Sequence, residues 1–219
     1  MTEIEFLSWV RGTGFQIASA IFVFGVIVRL LGILMLGRKA NLAEANGSEM
    51  AGGLRTVATR FIPETDSMQR SRFTIVTGYI FHIGIFIAIF FFAPHILFFK
   101  DVFGLSWSAL PTQIVDAVTV ITMIALVAVL VRRWKDPLLR YLTNAQDYLV
   151  WTVTMLPLIT GYLAFHRLGL PAPTLLALHI LSVELLMIVF PFTKLMHTFT
   201  FILSRWYNGA ISGYKGVQS

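Results

Sequence analysis

Four histidines stand inside apolar stretches that carry little other polar chemistry: His82, His95, His179 and His197. Imidazole nitrogen is a usual axial ligand of haem iron. The competing reading for each is a polar side chain hydrogen-bonded inside a helix bundle. The chain has no cysteine, so disulfides, cysteine-held iron–sulfur clusters and thiolate haem ligands are excluded, and any redox metal is left to His or Met. On a continuous helix, the eighteen residues from His179 to His197 make five whole turns, about 27 Å along one stripe. That nearly matches a hydrocarbon core of roughly 30 Å, which suits two ligand sites near opposite membrane surfaces. His82 and His95 are 13 residues apart, a rise of about 20 Å with side chains about 140° apart. Pro94, immediately before His95, offers a kink that redirects it.

The elements that must position these groups are membrane helices. Of 219 residues, 57% are hydrophobic and 13% charged, about half the charged share of a soluble domain. Mean hydropathy is +0.77. The reading is an all-α integral membrane protein, one domain over 1–219, with five transmembrane helices at about 15–37, 73–99, 112–131, 148–165 and 174–203. Pro157 and Gly161 interrupt the fourth. The start, Met1 to Thr13, lacks the basic region and small-residue site of a cleaved signal, so the first run is expected to stay. Twelve Lys and Arg fall in the 38–72 loop, the 132–140 loop and the tail, against three at the N-terminus, Lys100 and Arg167. The N-terminus is therefore expected outside and the C-terminus in the cytoplasm. The same topology accounts for the net charge of +6 without nucleic acid. The stretch from Ala51 to Pro63 is mildly amphipathic and suits a membrane surface or a partner contact.

With that topology the histidines pair by depth: His82 with His197 in the inner half, His95 with His179 near the outer surface. A bis-histidine b-type haem at each level is the economical expectation, with no covalent attachment. Gly84, Gly78 and Gly161 leave room for a macrocycle near the backbone. Arg29 sits well inside the first span and suits a haem propionate or a snorkelling position. Glu184, mid-membrane, is expected to be neutral or functional, relaying protons to a quinone or pairing with Arg29. His166, Lys100 and Asp116, near the outer surface, are further quinone or proton partners. For His166 and Asp116 an interfacial position is the plain alternative.

Phe81-His82-Ile83-Gly84-Ile85, with Phe190-Pro191-Phe192-Thr193-Lys194-Leu195-Met196-His197 and His179 upstream, resembles the gamma subunit of respiratory nitrate reductase. The membrane cytochromes of sulfite-reduction-linked and heterodisulfide-reductase-like complexes share the pattern. The resemblance extends over most of the chain. It implies a dihaem cytochrome b of the prokaryotic cytoplasmic membrane, exchanging electrons between menaquinone or ubiquinone and a cytoplasmic iron–sulfur subunit. It also implies His82 and His197 as inner ligands and His179 as one outer ligand. Two positions depart from the family: its second histidine on this span falls at Phe92, leaving His95 as the candidate, and its outer basic residue falls at Val115. Both departures favour the sulfur-metabolism or heterodisulfide-type relatives. Two rivals remain, a proton-relaying transporter or channel and a non-redox membrane anchor.

Overall fold

The structure, a computed structural model, describes residues 2–37, 42 and 44–217. Arg38 and Lys39 of the basic loop lie outside the described residues. Among those described there is no strand. Helix α1, Glu3–Trp9, starts from a capping box in which Thr2 and Glu5 satisfy each other's backbone N–H. A π-helical turn, Val10–Gly14, joins it to α2, Phe15–Met35. There follow α3 (Glu49–Thr59), α4 (Thr65–Phe90), α5 (Ala93–Phe103), α6 (Thr112–Lys135), α7 (Pro137–Leu142) and α8 (Ala145–His166). Helix α9 runs Ala172–Val189, two 3₁₀ turns occupy Phe190–Phe192 and Lys194–Met196, and α10 is His197–Tyr214.

Among the described residues, five helical stretches are long and apolar enough to cross a membrane: Glu3–Met35, Thr65–Phe90, Thr112–Lys135, Ala145–His166 and Ala172–Phe192. Their large apolar side chains are widely exposed, as expected of surfaces that meet lipid tails rather than water. The protein is a helical membrane protein. Three expectations need correction. The second span does not run to 99: α4 ends at Phe90, and α5 begins at Ala93 with Pro94 in its first turn, where a missing N–H costs nothing. The fourth is not interrupted, since α8 continues through Pro157 and Gly161. The fifth does not run to 203: α9 ends at Val189, Pro191 lies in a 3₁₀ turn, and Thr193 is extended (φ −127°, ψ −179°), which breaks the helix there. The five-turn spacing of His179 and His197 on one stripe therefore does not hold.

The chain forms two compact units. The first comprises Met1–Ala18 and Ser71–Leu186. Its core is Leu126, Met155 and Leu158, with Phe81, Ile85, Met123 and Trp151 packed against them. Trp151 Nε1 donates to the Leu126 carbonyl at 2.9 Å, joining α8 to α6. Gly84 brings α4 close to α6, since any Cβ there would collide with Thr122 Oγ1. The basic turn after α6 is tied down at both sides: Arg132 donates to Thr74 at 2.8 Å, and Arg133 lies 3.6 Å from Asp147.

The second unit comprises Ser19–Arg70 and Met187–Ser219. Helix α3 packs lengthwise on α10, and glycines line the contact. A Cβ on Gly52 would stand 2.7 Å from Gly213 Cα, and one on Gly53 would stand 2.6 Å from the Trp206 ring. The amphipathic stretch around Gly52 is thus engaged by this chain's own α10. Around the 3₁₀ turns, Phe22, Phe190 and Phe199 meet with ring centroids 5.3 to 6.1 Å apart.

Candidate functional site

The break between α4 and α5 releases carbonyls at the end of α4, and nearby donors take them. Trp107 Nε1 donates to the Phe90 carbonyl at 2.6 Å, and Leu110 N–H to the Phe91 carbonyl at 3.0 Å. His95 Nδ1–H donates to the Ala88 carbonyl at 2.7 Å. Across this break His95, from the first turn of α5, meets His179 of α9. The two rings lie 6.1 Å apart between centroids, with planes 17° from parallel. Phe92 packs edge-on against His95 at 5.3 Å, and Phe165 packs on Phe92 at 5.2 Å.

His179 is held from the other side by α8. Thr160 gives its hydroxyl proton to the Leu156 carbonyl at 2.7 Å, so its oxygen accepts from His179 Nδ1–H at 3.3 Å. Ser182 Oγ adds a contact of 2.9 Å to Thr160 and donates to the His179 carbonyl at 2.7 Å. Gly161 lets the ring lie on the α8 backbone, since a Cβ would stand 2.9 Å from His179 Cε1. Glycine is needed here for the imidazole itself, as Gly84 is for Thr122.

Both rings of the pair have Nδ1 committed as a donor. In a neutral imidazole that leaves the lone pair on Nε2, as in metal-binding histidines whose other ring N–H donates to an oxygen. A metal held by two imidazole nitrogens at about 2 Å each sets ring centroids about 6 Å apart, and this pair meets that condition. Among the described residues no three of His, Cys, Asp and Glu converge as a metal cluster. Two imidazoles with free Nε2 atoms are the residues here that could hold a metal or a metal-bearing cofactor.

His82, in the first unit, is exposed on α4, with Nδ1–H donating to the Gly78 carbonyl at 2.7 Å. His197, in the second unit, is the first residue of α10, with Nδ1–H donating to the Lys194 carbonyl at 2.8 Å. Each bond fixes the same tautomer as in the His95–His179 pair.

The structure also joins two of the proton-partner candidates. His166 Nε2, at the end of α8, lies 2.8 Å from Asp116 Oδ1 on α6, and the Tyr162 ring lies 4.3 Å from the imidazole. Lys100 is exposed on α5 and joins neither residue. An apolar cavity of about 370 Å³ opens at Thr160, lined also by Leu163, Leu168, Leu175 and Leu178 among others. Thr160 thus faces both the cavity and His179. Sequence reasoning missed Thr160 and Ser182, because a hydroxyl in a membrane helix usually bonds its own i−4 carbonyl and signals nothing more.

Fold and site define a helical membrane protein with a half-buried histidine pair contributed by α5 and α9. The chain is 35% identical over 157 residues to a protein of Nitratidesulfovibrio vulgaris Hildenborough whose printed name states no function, covering 71% of this chain and 69% of the relative. It belongs to the same family as that protein. No family model and no solved structure matches the chain.

Proposed function

We propose that the chain is the haem b-bearing membrane subunit of a respiratory oxidoreductase, passing electrons between the quinone pool and a cytoplasmic iron–sulfur subunit. The observation that carries this reading is the His95–His179 pair, with near-parallel rings 6.1 Å apart and both Nδ1 atoms committed. Haem, when bound, takes up and gives up one electron at a time. His95 and His179 would hold it, with their tautomers fixed by the Ala88 carbonyl and the Thr160 hydroxyl. His82 and His197 are assigned a second haem on the sequence pattern alone. The basic 132–140 turn and the tail face the cytoplasm, and the N-terminus lies outside the prokaryotic cytoplasmic membrane. The His166–Asp116 pair then stands at the outer surface, where it handles protons for quinone chemistry. Menaquinone and ubiquinone are both compatible with this chemistry.

Purified protein tests the reading. A pyridine haemochrome assay should return about two b-type haems per chain, with a reduced-minus-oxidised spectrum to match. A haem-free protein would overturn the proposal and return the histidines to a structural role.

A further inference from the structure

Glu184 is the one carboxylate of α9, and it is 3% exposed. Its Oε1 has no hydrogen-bond partner among the described residues. The backbone facing it is Gly14: a Cβ there would stand 3.1 Å from both Oε1 and Oε2, and 3.2 Å from the Trp9 ring. Gly14 closes the π-helical turn Val10–Gly14. Such turns are rare, widen the backbone out of the α-helical register, and often mark functional positions. Val10 and Gly14 are buried while Arg11 and Thr13 of the same turn are exposed, and the charge of Arg11 sets that exposed face among water and lipid headgroups rather than lipid tails.

We propose that Glu184 and the π-turn Val10–Gly14 form an intramembrane proton-exchange site, in which the neutral acid trades its proton with water across the turn. An ionised carboxylate this deep would need a cation or several donors. Arg11, the charged residue of the facing turn, is directed outward. His179, the nearest titratable group on α9, is five residues earlier, about 140° around the helix. The acid form needs far less from its surroundings. Exchange breaks one carboxyl O–H bond and makes another with a proton from water, with no electron moved. It holds whether or not the histidine pair carries iron, so it stands or falls apart from the haem reading.

Infrared spectroscopy of the full chain in lipid vesicles decides the matter. The expected result is an acid C=O band at neutral pH that moves when the glutamates carry ¹³C and is missing in Glu184→Gln. Transfer to heavy water should shift this band within the mixing time, and Gly14→Leu should abolish that rapid shift. Should Glu184→Gln fail to assemble, Gly14→Ala replaces it, because its methyl group must displace the band. Absence of any acid glutamate band, or an acid band that stays unexchanged for hours, would overturn the proposal.

Discussion

His95 Nδ1 and the Ala88 carbonyl, seven residues apart in the chain, are joined by a 2.7 Å hydrogen bond across the break between α4 and α5. That bond sets the direction of the imidazole that meets His179. The two rings should therefore behave as one site. His95→Ala and His179→Ala are expected to lose the same spectral component, about half the haem, while the remaining component stays intact. Redox-difference spectra of both variants check this. A His95→Ala protein with its full haem content would remove His95 as a ligand and turn attention to His166.

Thr160 and Gly161 set the position of His179. Thr160→Val removes the acceptor for Nδ1–H and should weaken haem retention about 10- to 100-fold. Gly161→Ala pushes a methyl group into Cε1 and should do the same by steric displacement. Thr160→Ser, which keeps the hydroxyl, should restore retention. Haem titration of the reconstituted variants reads all three.

Trp107 closes the break by bonding the Phe90 carbonyl. Trp107→Phe keeps an aromatic side chain and leaves that carbonyl without its indole donor, a loss of about 1–3 kcal/mol. Thermal unfolding in detergent should show the loss, and the outer component should bleach before the rest as α5 loosens.

How far these arrangements were readable differs from one residue to the next. Pro94 announced a change of direction, but not that Trp107, Leu110 and His95 would each take up a carbonyl beside it. These bonds link residues that no local pattern connects. The Pro191 break was overlooked because the surrounding run is uniformly apolar, and hydropathy does not register whether a helix is continuous. The number of long apolar helices was plain from composition and spacing, since each must bury every backbone polar group internally. The π-turn had no sequence signal at all, and Gly14 reads like any other membrane glycine until the carboxyl of Glu184 stands opposite it.

The His166–Asp116 pair predicts a separation of haem content from turnover. Asp116→Asn should leave haem binding unchanged and lower quinone-linked electron transfer by about 100-fold, the usual scale of a positioned acid–base group. Visible spectra and quinol oxidation assays on the same preparation distinguish the two effects. Equal turnover in variant and parent would reduce the pair to an interfacial contact.

The glycine-lined contact between α3 and α10 has a consequence for the order of assembly. The two helices are distant in the chain, and translation delivers α3 long before α10 exists. Four apolar stretches, those beginning at Thr65, Thr112, Ala145 and Ala172, must be synthesised in between. Throughout that interval the Gly52 and Gly53 face of α3 has no α10 to cover it. Closing so long a loop is an intrinsically slow event, so this contact is expected to form last. A nascent chain halted before α10 would carry its spans with a bare helix beside them, a form open to quality-control proteases and to association with other unfinished chains.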